Sequence, residues 1–487
     1  MNYLYPQFRV WLFLIAMVTF VACGDDNDDR PMVESENALS LTATTTNFER
    51  GRGTTVNVPV SVLADAGIKS VTVSVDGAAA ETLSTTAGTT TENVSYDFTI
   101  PASSLFNTEY QLAFVVTDAD DKTATSEVFV NTGALIEIPS TYDFLRDGST
   151  TVSYAGQNER LDMVALIKSE ILAEGDKGNR VSEMALLNAF NNADGNGGGL
   201  FPFESSKQLA DKTFQVDLDN RLFENLFAAA EVASVAGVKA ANGTAGLIIR
   251  ESKGSTILVD ENGREFTQLI EKGLMGAVMY NQIYNTYFTE ARIGNDVENT
   301  ALREGSNYTD MEHHWDEAFG YWNPPLDFSS NWPAERASED RFWSHYSNTV
   351  DPHLGTNSII MDAFVAGRAA IVNNDLDTKD AQRAIISENL ELVSAGTAVH
   401  YINDSLEALN EGDTGEAFHV MSEVWTFVNA LKYNAARRIS LDQIDEILGQ
   451  DLGANGNFWN VTPEGLNKAK ATLVSVYPEL DPVQDNL

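Results

Sequence analysis

The chain has 487 residues, enough for several domains and a large core. Its 31 basic and 71 acidic residues leave a formal net charge of −40, a field that repels phosphate backbones and anionic lipid headgroups. Nucleic acid is therefore excluded as a partner, whereas cations and neutral or cationic ligands remain compatible.

Residues 1–22 read as a signal peptide. One charge, Arg9, precedes the apolar run in "VWLFLIAMVTFVACGDD", which is too short for a membrane-spanning helix and suits a signal core. The run ends at Ala22-Cys23 and resembles a bacterial lipoprotein signal, with Phe20 where leucine is usual. Cys23 is the only cysteine, so no intramolecular disulfide forms, and its position makes it the expected lipidation site. Residues 23–37 form an acidic polar tether, and an acidic run directly after the cysteine resembles a surface-export signal. An outer-membrane lipoprotein is expected, on the cell surface or facing the periplasm, held by lipid through Cys23.

Residues 38–134 read as strands. "TTVNVPVSVLA", "IKSVTVSVDG", "VSYDFTIPA", "YQLAFVVTD" and "ATSEVFVNT" alternate apolar and polar residues between Gly, Asp, Asn and Pro turns. This spacing predicts an antiparallel β-sandwich, and "VVTDADDKTATSEVFV" resembles the closing hairpin of immunoglobulin-like domains. Asp118, Asp120 and Asp121 are read as a solvated turn.

From residue 137 to 480 the period becomes helical. Helices are predicted over 159–174, 182–191, 218–236, 264–292, 310–320, 336–347, 353–373, 378–409, 413–434, 440–449 and 464–474, with a small hairpin inside 238–263. Ser440 and Thr462-Pro463 supply start signals, and "ADGNGGGLFPF" reads as a loop. The fold class is thus multidomain: an N-terminal immunoglobulin-like β-sandwich followed by a larger, mainly-α helical-bundle domain.

Two of only six histidines stand together in "NYTDMEHHWDEAFGYW", residues 307–322. Thr309 and Glu312 form a T-x-x-E capping box that starts a helix at Asp310. Asp310, His313, His314 and Glu317, spaced by three and four, share one stripe, which Tyr321 continues. His314 and Glu317 are the expected first ligands of a metal ion, with His313, Asp310 and His419 next; mixed nitrogen and oxygen donors suit Fe or Zn. "GEAFHVMSEVW" adds Glu416-x-x-His419 and Glu423 on a second helix. A carboxylate-bridged di-metal bundle needs two Glu-x-x-His helices and two further glutamates, and only one is clear. Asp316 and Glu317 are neighbours on a helix, pointing about 100° apart, and make a poor acid–base pair. The pattern favours a binding protein over an enzyme.

The blocks "TTVSYAGQNERL", "EKGLMGAVMYNQIY", "MEHHWDEAFGYW" and "GEAFHVMSEVWTFVNALKYN" resemble an uncharacterised family of bacterial lipoprotein domains spanning about 137–480. More distantly the region is similar to the imelysin group, all-helical exported proteins with a G-x-H-x-x-E motif; Glu312 stands where that motif has glycine. The resemblance implies an all-α domain connected with iron uptake and a docking receptor or uptake system. The competing expectation is a surface glycan- or peptide-binding lipoprotein without metal, using Trp322, Trp332 and Trp343 as stacking faces.

Overall fold

The computed structural model describes residues 37–487 except 52, 102, 103, 105–107, 134, 135, 147, 300 and 301. The signal segment, Cys23 and all of the tether but Asn37 lie outside the described residues. Among the described residues no helix is long and apolar enough to cross a membrane.

The β-region runs β1 (Leu39–Ala43), β2 (Asn47–Glu49), β3 (Thr55–Ala64), β4 (Ile68–Val75), β5 (Glu81–Leu83), β6 (Thr91–Thr99), β7 (Glu109–Asp118) and β8 (Thr123–Asn131). Two sheets form, in the orders β1-β3-β6 and β2-β8-β7-β4-β5. Alternation sets their inner faces: in β3 every second residue from Val56 to Ala64 is buried. Tyr96 on β6 meets Phe114 on β7 edge-on at 6.3 Å, so the sheets share a sandwich core. Asp118 Oδ1 accepts from the backbone N–H groups of Asp120 and Lys122, which makes "DADDK" a side-chain-stabilised turn.

The helical region contains α1 (Ala155–Leu166), α2 (Ala173–Asp176), α3 (Glu183–Phe190), α4 (Val216–Ala236), α5 (Phe266–Leu274), α6 (Glu290–Ile293) and α7 (Asp310–Trp322). It continues with α8 (Trp343–Leu354), α9 (Thr356–Val372), α10 (Leu376–Glu411), α11 (Thr414–Ala430), α12 (Leu441–Glu446) and α13 (Pro463–Val476). The expected hairpin is present as Gly246–Arg250 paired with Ser255–Val259. Ser440 and Thr462 cap their helices through Gln443 and Gly465.

Four predicted helices differ from the observed ones; those over 159–174 and 440–449 pass into π-helical turns at Ile167–Leu172 and Ile447–Asp451. The helix expected over 336–347 starts only at Trp343, because Phe342 lies at φ 52°, and it runs on to Gly355, whose φ of 65° separates α8 from α9. The long helix expected over 264–292 is interrupted: α5 passes into π-helical turns at Met275–Tyr280 and Ile283–Tyr287. Nearly all of 265–283 is buried rather than one stripe, including the α5 residues before the first π turn, so the segment is packed all round.

Helix α7 lies at the centre of this core. Trp315, Phe319 and Trp322 are buried, with Phe319 stacked on Tyr142 at 3.7 Å and Trp322 parallel to Phe364. On the same helix Asp316 and Glu312 receive the fully buried Arg368 of α9, at 2.9 and 3.1 Å. Tyr142 and the Ser153 backbone N–H donate to Asp316, while Arg146 and the Thr309 N–H donate to Glu312. Burial pushes the Asp316 carboxyl up to about 6 against the pull of Arg368. For Glu312, burial is outweighed by Arg368 and Arg146, and its pKa falls. The acids that make "MEHHWDEAFGYW" distinctive are therefore partly structural: they fix α7 to α9 and to the segment before α1.

Candidate functional site

The capping box predicted at Thr309 is present: its hydroxyl accepts from the Glu312 N–H, and Glu312 accepts from the Thr309 N–H. With that start fixed, His313 and Glu317 are one turn apart on one stripe of α7. His313 Nδ1 lies 3.1 Å from the Ser153 carbonyl oxygen, which only accepts, so Nδ1 carries the ring proton. Tyr308 stacks on the imidazole at 4.9 Å and holds its plane. Nε2 then presents a lone pair toward Glu317 Oε2 at 3.7 Å, beyond hydrogen-bond reach. The other oxygen of Glu317 accepts from Gln157 Nε2 at 3.0 Å and from the Tyr287 hydroxyl at 3.2 Å. Burial lowers the His313 pKa, only partly countered by Glu317. Two acceptors thus face each other across a gap that asks for a cation or a donor between them. The pair is 16% and 19% exposed, so the gap is reachable from solvent.

One turn further along, the Tyr321 hydroxyl is buried and without a hydrogen-bond partner of good geometry, with Arg160 and Glu317 as its charged neighbours. Burial pushes its pKa well up. It extends the polar stripe inward from Glu317.

The remaining predicted ligands are placed differently. His314, expected to lead with Glu317, instead donates from Nδ1 to the Arg292 carbonyl at 2.7 Å and has its Nε2 3.3 Å from the Arg292 guanidinium. Both ring nitrogens are occupied, so the partner of Glu317 is His313. Asp310 sits at the surface opposite Arg303 at 3.8 Å. Glu416 pairs with Arg250 at 2.5 Å and Lys253 at 3.8 Å, not with His419. Among the described residues no three His, Cys, Asp or Glu side chains come together as a metal-ligand group. Trp322 and Trp343 are fully buried and Trp332 is 8% exposed, so these indoles fill the core and offer no stacking face.

His419 occupies a separate cluster. Its Nδ1 contacts Glu265 Oε2 at 2.6 Å, and its Nε2 faces Glu423 Oε1 at 3.8 Å. Burial opposes its charge, but Glu265 and then Glu423 outweigh it and the pKa is raised. Nearby, Asp176 accepts from the Leu258 N–H and the Thr267 hydroxyl. Burial first, and the Glu265 field second, push Asp176 from 3.8 up to about 7. A carboxyl raised on folding costs stability as pH rises from its unfolded value through its folded one. Asp176→Asn is therefore expected to match the wild type near pH 4 and to exceed it in thermal midpoint above pH 7. Equal midpoints at both pH values would contradict this.

Sequence reasoning missed Gln157, Ser153 and Tyr287, which orient the His313–Glu317 pair from α1, the segment before it and a π turn. It also missed Glu265 behind His419. A readable signal existed for the pairs themselves: His-x-x-x-acid recurs at 313/317, 400/404 and 419/423.

No curated protein matches this sequence. A family model does match residues 139–477, some seven-tenths of the chain and all of the helical core around α7. The chain belongs to the family described as Domain of unknown function (DUF4856).

Proposed function

We propose that the protein is an exported, lipid-anchored binding protein whose helical domain takes up a divalent metal cation, Zn²⁺ or Fe²⁺ in first place, between His313 and Glu317. The observation that carries this reading is the 3.7 Å separation of two acceptor atoms whose own groups are otherwise satisfied. A metal bound at about 2.0–2.2 Å from each donor sits naturally in such a gap. The imidazole N–H held by a backbone carbonyl and the carboxylate held by Gln157 and Tyr287 are the outer supports that metal ligands use. Two protein donors leave the other coordination positions to water or to a cargo's own donors, which suits uptake and release more than a structural centre. The H-x-x-E resemblance of the sequence to the imelysin group suggests iron as the cargo, and the signal-like segment ending at Cys23 suggests the membrane attachment.

The glycan alternative has no comparable support, since its three indoles lie in the core. In equilibrium dialysis of the full-length protein, His313→Ala with Glu317→Gln is expected to lose at least ten-fold in Zn²⁺ affinity. His314→Ala is expected to leave it within about two-fold. Unchanged binding in the double variant would refute the site.

A further inference from the structure

Helix α11 repeats the spacing found on α7, with a carboxylate in place of the backbone carbonyl behind the imidazole. His419 and Glu423 are again one turn apart, with Nε2 and a carboxylate oxygen separated by 3.8 Å, against 3.7 Å for His313 and Glu317. The Nδ1 side is again held by an oxygen from another element, here Glu265 at the start of α5. The far oxygen of Glu423 again accepts from a tyrosine hydroxyl, Tyr346 of α8 at 3.3 Å, as Glu317 does from Tyr287 at 3.2 Å. The third pair of this spacing, His400 and Asp404, is 30% and 41% exposed, where solvent screens the interaction.

A second observation points to a ligand at α11. Gln268 lies three residues beyond Glu265, which contacts His419, and four before Lys272, so helical spacing puts the three on one stripe of α5. Gln268 is 4% exposed, and its Oε1 has no hydrogen-bond donor among the described residues. A buried acceptor without a donor is destabilising, and a cation within its reach would remove that deficit. The Lys272 ammonium is bound to Glu271 at 2.5 Å, above the Tyr346 ring, and also lies in the field of Glu423.

We infer that His419 and Glu423 form a second divalent-metal site, with Glu265 orienting the imidazole from behind and the buried Gln268 amide one turn along α5 from Glu265. The metal takes the place of the Nε2 proton, which leaves to solvent, while Nδ1 keeps its proton on Glu265. This carboxylate–histidine–metal order raises the basicity of the ligating nitrogen. The inference rests on the reading of the α7 pair only in treating the same geometry in the same way.

The test is Zn²⁺ stoichiometry of the full-length protein, in high salt with excess Mg²⁺ to suppress diffuse binding by a chain of net charge −40. The wild type is expected to hold two Zn²⁺ ions, His313→Ala/Glu317→Gln one, and the same variant with Glu423→Gln none. Glutamine keeps an acceptor for Tyr346, and an unchanged unfolding midpoint shows that each variant is folded. Co²⁺ substitution gives a second readout, a visible band retained in the α7 variant and lost on adding Glu423→Gln. If the α7 variant loses all Zn²⁺, the second site is overturned and the first stands. If Glu423→Gln alone removes all Zn²⁺ and the α7 variant changes nothing, the first reading falls and this one stands. No Zn²⁺ on the wild type overturns both.

Discussion

Arg368→Met is expected to remove about 3–5 kcal/mol of stability from the helical region, the penalty for stripping one partner from a buried ion cluster. The guanidinium is fully buried and satisfies Asp316, Glu312 and the Thr151 hydroxyl, with the Phe144 ring 5.1 Å away. Methionine fills much of the volume but leaves two carboxylates in the core, and protonation only partly relieves them. Adding Asp316→Asn and Glu312→Gln should recover a good part of the loss, because neutral amides need no countercharge. Denaturant unfolding followed by tryptophan fluorescence measures this, since Trp315, Trp322, Trp332 and Trp343 all lie in the helical region. A loss under 1 kcal/mol would mean that the cluster is solvated and does not anchor α7.

Gly415→Ala is expected to cost about 1–3 kcal/mol or more, the range for forcing a methyl into a packed interface. A Cβ built at Gly415 falls on the Ile249 carbonyl oxygen of the hairpin and close to the Arg250 nitrogen at 2.8 Å, both backbone atoms that cannot rotate aside. The first turn of α11 would have to move away from the hairpin, disturbing the Arg250–Glu416 pair and the Asp413 contact to the Ser252 N–H. Gly449→Ala is the control, as nothing lies within 4 Å of its built Cβ. Equal unfolding midpoints for the two variants would contradict the close approach.

Much of the fold could be read from the residues because local chemistry decided it. The period-two alternation of β3 and the Thr309–Glu312 capping box each survive in the structure, since each depends on atoms a few residues apart. The π turns after α5 were not legible, as they follow from packing all round the helix. The candidate site shows the same division. That a histidine and Glu317 share a stripe follows from helical spacing. Which histidine does so depends on Arg292, 22 residues before His314, and on the Ser153 carbonyl, 160 residues before His313. Asp310, Glu312 and Asp316 carry the same charge in the sequence, yet one is at the surface and two are bound to Arg368. Composition alone does not distinguish an acid that holds a cation from an acid that holds an arginine. The arginine becomes visible only when α9 is placed beside α7.

Anomalous diffraction from a crystal of the protein grown with Zn²⁺ tests the central claim most directly. The account predicts an anomalous peak at about 2.0–2.2 Å from both His313 Nε2 and Glu317 Oε2, with His314 still bonded to the Arg292 carbonyl. A well-ordered α7 with no peak between those two atoms, or with metal on His314 instead, would contradict it.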